Sequence, residues 1–130
     1  MTLDAELARS VLESLTDGVA ITDHQGKLIY MNPVGARLVG LGMISTSVDE
    51  ASARYGLFET DGTTPYATNA LPVVRALAGD LGVTESETEM IVRNAAVPDG
   101  VRLAVTTSVL RDAAGQIQGV VVVYLSLIHI

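Results

Sequence analysis

Four consecutive valines, Val120 to Val123, run into Tyr124-Leu125-Ser126-Leu127 near the end of the chain. β-Branched side chains lose rotamer freedom in a helix and suit a pleated surface, so this run predicts a strand. In a strand successive side chains face opposite ways, which sends Val120, Val122 and Tyr124 to one face and Val121, Val123 and Leu125 to the other. Both faces are apolar, so both need cover. Short helices can supply one layer. The other must come from an amphipathic N-terminal helix or a partner subunit. The stretch Val120–Ile130 is about half the roughly twenty residues a membrane-spanning helix requires. The acidic start, Met1-Thr2-Leu3-Asp4-Ala5-Glu6, lacks the basic flank of a signal peptide. Cytoplasmic localisation, without membrane insertion by this segment, is expected.

The chain has 130 residues, enough for one domain with a real core. Apolar residues make up 48% and aromatics only 4%, so the interior must be aliphatic. A formal charge of −7, with the bases spread singly, leaves no basic patch for nucleic acid. There is no Cys, hence no disulfide, thiolate metal site or cysteine nucleophile.

Leu3, Leu7, Val11, Leu12 and Leu15 recur at helical spacing and predict a flanking helix over 1–16, stopped by Asp17-Gly18. Val19–Thr22 and Lys27–Met31 read as a hairpin around Asp23-His24-Gln25-Gly26. Asn32-Pro33 opens a helix that stops near Gly40. From Met43 to Asn69 the pattern weakens, with a helical turn expected over Asp49–Tyr55. Helical spacing returns over 71–78. Three strands follow: Glu85–Asn94, Val101–Leu110 after a turn at Pro98-Asp99-Gly100, and Gln116–Leu127. The expected fold is α+β, with one five-stranded antiparallel sheet, short helices on one face and an N-terminal amphipathic helix.

Leu15-Thr16-Asp17-Gly18-Val19-Ala20-Ile21-Thr22-Asp23, followed by Gly26-Lys27-Leu28-Ile29-Tyr30-Met31-Asn32-Pro33, resembles the opening of PAS sensor domains. Leu71–Gly79 looks like the helix before the third strand in one bacterial signalling subgroup of that family. Leu110-Arg111-Asp112 and Gly115–Val123 are similar to that subgroup's last hairpin. The resemblance covers Leu15 to Tyr124 and implies a PAS fold over 17–125. It also implies a site for a small ligand between sheet and helices, homodimerisation through flanking helices, and an output domain elsewhere in the same polypeptide. The family continues past its last strand with an Asp-Ile-Thr-like motif. This chain departs from it with Leu125-Ser126-Leu127-Ile128-His129-Ile130, so residues 126–130 read as a truncated or non-native tail.

Within that frame the expected pocket wall is Ile21, Ile29, Met31, Val74, Leu77, Met90, Val92, Leu103, Val105 and Val123, suited to a small apolar or fatty-acid-like ligand. Arg75 either pairs with Asp80 or meets a ligand carboxylate. Leu3, Leu7, Val11 and Leu15 form the expected dimer interface. Absence of Cys excludes covalent flavin and coumaryl chromophores, while noncovalent flavin finds few aromatic or amide partners. His24 falls in a turn and His129 in the tail, which argues against haem. Asp17, Asp23, Asp61, Asp99 and Asp112 lie in turns, and Glu85, Glu87 and Glu89 on a solvated strand face, so no metal site is expected. Three functions compete: a ligand-sensing module, a ligand-free dimerisation module, and a small enzyme with an Asp base and Tyr30 or Tyr66 as acid. The enzyme is the remotest, because nothing in the sequence pairs those groups.

Overall fold

The computed structural model describes residues 5–44, 48–80 and 87–127. Leu3, Glu85 and His129 lie outside them. The chain runs α1 (Ala5–Ser14), β1 (Gly18–Asp23), β2 (Leu28–Met31), α2 (Pro33–Val39), α3 (Val48–Tyr55) and β3 (Leu57–Phe58). A 3₁₀ turn at Thr68–Ala70 leads into α4 (Pro72–Leu77), then β4 (Thr88–Asn94), β5 (Val97–Arg111) and β6 (Ile117–Ser126). All pairings are antiparallel, in the spatial order β2-β1-β6-β5-β4-β3. The valine-rich strand β6 therefore sits between β1 and β5, paired on both edges.

The sheet has six strands rather than the expected five. The extra strand is β3, whose Leu57 and Phe58 pair with Val92 and Ile91. Two residues are too few to show an alternating pattern. The pairing depends on Gly56, which at φ 73° lets the chain close on β4, with the Arg93 N–H donating to the Gly56 carbonyl at 2.8 Å.

The β4–β5 turn also differs from expectation. It lies at Ala95-Ala96, closed by the Asn94 Oδ1 accepting from the N–H groups of Ala96 and Val97 at 2.9 and 3.2 Å. Asn94 Nδ2 donates to the carbonyls of Val39 and Tyr55, both at 2.9 Å, which ties the turn to α2 and α3. Pro98-Asp99-Gly100 instead forms an irregularity inside β5, where Gly100 takes φ 83° and the register with β4 shifts.

Register assigns the two sheet faces. Ala20 faces Val122, Thr22 faces Val120, Leu103 and Val105 lie beside Ser126 and Tyr124, and Met90 faces Leu103. This face packs against the helices and holds the main core, which includes Ala20, Val39, Tyr55, Met90, Val92, Leu103, Val105 and Tyr124. The opposite face carries Val19, Ile21, Val121, Val123 and Leu125. The division of β6 between two apolar faces is as read from its sequence.

Asn32 fastens the helical layer to the sheet. Its side chain is fully buried. Its Oδ1 accepts from Gly35 N–H at 2.8 Å, capping α2, and from Val19 N–H at 2.9 Å, while Nδ2 donates to the Asp17 carbonyl at 3.0 Å. Asn32→Ala would strip the cap and leave these buried groups unpaired. A loss of about 2–4 kcal/mol in urea unfolding is expected.

Candidate functional site

Between the helical layer and the sheet lies a cavity of about 150 Å³. Its floor is Ala20 and Thr22 from β1, Met90 and Val92 from β4, Leu103 and Val105 from β5, and Val122 and Tyr124 from β6. Leu28 and Met31 close one end, Val39, Ala51 and Tyr55 descend from α2 and α3, and Leu71, Pro72 and Val73 cover it from the start of α4. Small residues at Ala20, Thr22 and Ala51 leave room where larger ones would fill the space. No charged side chain lines it among the described residues.

Three residues that carry hydroxyls line the cavity. Thr22 Oγ1 donates to the Asp23 carbonyl at 3.0 Å. Tyr55 Oη donates to the Gly42 carbonyl and accepts from Ile44 N–H, both at 2.8 Å, pinning the segment after α2. Tyr124 is 5% exposed and its hydroxyl has no partner. Its ring lies over Gly18, where an added Cβ would come within 2.6 Å of Cε2, and its hydroxyl lies against Gly35. Burial raises the Tyr124 pKa above its ordinary value, and the neighbouring Tyr55 adds to the shift. Burial also raises that of Tyr55, which the Ile44 hydrogen bond partly opposes.

A family model for the PAS domain matches residues 6–69, about half of the chain. The fold extends that likeness across the rest. The PAS domain of an HTR-like protein from Haloarcula marismortui superposes with a TM-score of 0.64 at 12% identity, covering 95% of this chain and 91% of that one. A domain of the sensory box sensor histidine kinase/response regulator from Geobacter sulfurreducens gives 0.56 at 17% identity, covering 92% and 91%. The PAS domain of BvgS from Bordetella pertussis gives 0.55 at 10% identity, covering 95% and 86%. The chain carries a PAS domain. No curated protein matches it in sequence, and at these identities the structural likeness is one of fold.

In this PAS domain, Met31, Met90, Val92, Leu103 and Val105 of the expected wall line the cavity together. The other expected residues stand elsewhere, for reasons of register and helix phase. Ile21 and Val123 pair with Val121 and Val19 on the opposite sheet face. Ile29 is 54% exposed, because the β1–β2 register shifts there and places Leu28 and Met31 on the cavity side instead. α4 turns Pro72 and Val73 to the cavity, not Val74. Leu77 packs with Ala76 and Val120 in a second, smaller cluster. Arg75 makes the intrachain pair, its guanidinium 2.7 and 2.9 Å from Asp80 Oδ2.

Of the cavity residues missed in the sequence, Leu28, Val39, Val122 and Tyr124 are large residues on elements whose phase toward the cavity only the fold fixes. Others are small, like Ala20 and Ala51, or belong to the weakly patterned stretch that became α3. Ala51 and Tyr55, four apart, carry a helical signal there, but a short one. Of the expected dimer stripe, Leu7 and Val11 on α1 and Leu15 just after it are 47%, 48% and 40% exposed, so these three are not sequestered within one chain.

Three of the five carboxylates singled out as turn residues perform turn work, whereas Asp99 lies within β5. Asp23 Oδ1 accepts from the N–H groups of Gln25 and Lys27, and Asp112 Oδ1 from those of Ala114 and Gln116, all at 2.9 Å. Asp61 accepts from the backbone of Thr63 and Thr64 and from the Thr64 hydroxyl, bonds that lower its pKa to about 2. Glu89 pairs with Arg102 at 2.8 Å, and Glu87 is exposed. His24 is exposed in the β1–β2 turn. Tyr66 borders a shallow depression with Glu59, Asp61 and Glu89, and its pKa is raised by burial and then by Glu59.

The two buried tyrosines set an alkaline limit. Tyr55 and Tyr124 keep their protons in the fold at pH values where an unfolded tyrosine, with a pKa of about 10, releases them. Stability is expected to be unaffected by these groups below about pH 10 and to fall above it. Urea midpoints between pH 8 and about 12 should show the decline, and Tyr124→Phe should flatten it.

Proposed function

We propose that this PAS domain is the cytoplasmic, non-catalytic input module of a larger signal-transduction protein, and that it holds a small, mainly apolar ligand between sheet and helices. The observation that carries the reading is the half-open cavity of about 150 Å³ between α2, α3, α4 and the sheet, with no charged side chain lining it among the described residues. An apolar space of that size can take a guest at least the size of benzene. Its walls include Tyr55, which anchors Gly42 and Ile44, so occupancy has a route to the surface through that segment. The fold neighbour from a sensor histidine kinase/response regulator supports the signalling context. The described helices include none long and apolar enough to cross a membrane. With no Cys in the chain, covalent flavin and coumaryl chromophores are excluded, and any ligand binds noncovalently or through other chemistry.

Native mass spectrometry of the purified protein is expected to show an added small-molecule mass that denaturation releases. Ala51→Leu, which fills the α3 side of the cavity, should abolish that mass while leaving the circular dichroism spectrum unchanged. Ligand retained in the filled variant would place the binding elsewhere.

A second reading, a dimerisation module that works without ligand, is favoured by the exposed stripe on α1. Leu7, Val11 and Leu15, together with Leu125 at 39% exposure on the outer sheet face, offer apolar surface to a twin. The double substitution Leu7→Glu and Val11→Glu is expected to convert dimers to monomers in sedimentation velocity. An unchanged dimer would rule out this interface.

A further inference from the structure

Tyr55 joins the cavity to a surface segment. It lines the cavity, while its hydroxyl donates to the Gly42 carbonyl and accepts from Ile44 N–H, both at 2.8 Å. Along that segment Leu41 and Met43 are 39% and 57% exposed, and a Cβ added at Gly42 would meet nothing within 4 Å. The Ile44 side chain packs on the main core. The frame on either side is fastened separately, by Asn94 Nδ2 donating to the carbonyls of Val39 and Tyr55 at 2.9 Å. The Tyr55 ring is therefore free to turn about its own side-chain bonds without a shift of the α3 backbone.

The cavity suits that ring. An apolar space of about 150 Å³ takes a guest the size of benzene, and the tyrosine side chain ends in a benzene ring bearing one hydroxyl. Entry of the ring restores contacts that the lining otherwise lacks. Against it stand the two hydrogen bonds given up and the burial of a hydroxyl among apolar side chains. The Gly42 carbonyl and Ile44 N–H left behind belong to a segment with two exposed side chains, where water can replace the hydroxyl. The swung-in state is thus a minor one, in exchange with the arrangement described above.

Resting on the reading that the cavity receives a ligand, we propose that Tyr55 is a built-in competitor for the site: its ring enters the empty cavity and releases the Gly42–Ile44 segment, and a bound guest locks it out. Ring and guest need the same space, so each excludes the other. Occupancy fixes the segment to the Tyr55 hydroxyl, and vacancy intermittently frees it. The coupling arises from binding to one of two states and needs no contact between guest and segment.

Benzene titrated into the intact protein tests this, with the Met31 and Met90 methyls, which line the cavity, reporting occupancy and amide hydrogen exchange at Ile44 reporting the segment. In the empty protein Ile44 is expected to exchange faster than the amides of the core strand β5. Benzene at about nine times its Kd should slow Ile44 about tenfold, while Ala96 N–H, held by Asn94 in the β4–β5 turn, is unchanged. Tyr55→Phe removes the hydroxyl bonds and lets the ring enter more readily. It should bind benzene about two- to fivefold more weakly, because fewer molecules have the cavity free. Ile44 exchange unaltered by bound benzene, Ile44 exchanging only as slowly as β5, or Tyr55→Phe binding benzene as tightly as the wild type would each overturn the proposal while leaving the cavity as a binding site. Met31 and Met90 methyls unmoved by benzene would overturn the underlying reading and the proposal with it. The wild-type exchange rates decide the matter if the phenylalanine variant does not fold.

Discussion

The helical layer of this domain depends on one buried amide. Asn32 joins the end of β2, the first turn of α2 and the backbone of β1 through its two side-chain atoms. A single amide serves because it carries an acceptor with two lone pairs and a donor on separate atoms, whereas an ionised Asp only accepts and Ser has both functions on one oxygen. With α2 fixed there, Gly35 is brought against the Tyr124 hydroxyl and Val39 into the core. Asn94 does similar work at the far side, where its amide holds the β4–β5 turn to the carbonyls of Val39 and Tyr55. Two buried or half-buried amides thus suspend α2 and α3 over the sheet.

The cavity follows from that suspension. Helices held at their ends by polar anchors do not collapse fully onto a floor made partly of Ala20 and Thr22. The sheet in turn tolerates an incompletely filled face because β6, with both neighbours paired, contributes Val120 and Tyr124 at nearly complete burial. Close approach sets the remaining geometry. Gly18 admits the Tyr124 ring, and Gly119 lies so near the Thr22 carbonyl that no side chain fits between β1 and β6. The domain combines a tightly built sheet with a less completely packed space above it.

Much of the architecture was legible because its signals are local. The Asp-x-x-Gly turns, the Asn-Pro helix start and the valine-rich strand each express a short-range steric or hydrogen-bonding preference, and the structure honours them. The Pro98-Asp99-Gly100 signal misled for the same reason. It is compatible with a tight turn, but Asn94 found carbonyls on α2 and α3 and drew the turn to Ala95-Ala96. β3 escaped notice because two residues carry no period.

The cavity wall divides along the same line. Alternation and apolar composition by themselves determined that Met90, Val92, Leu103 and Val105 share a core face, and that β6 carries apolar side chains on both of its faces. Which face of β1 looks into the cavity was decided only in three dimensions. Val19 and Ile21 are the more apolar pair, yet pairing to Val123 and Val121 turns them outward and leaves Ala20 and Thr22 beneath the helices. An empty space has no residue of its own to mark it in a sequence. It is created by small side chains on separate elements meeting at a distance.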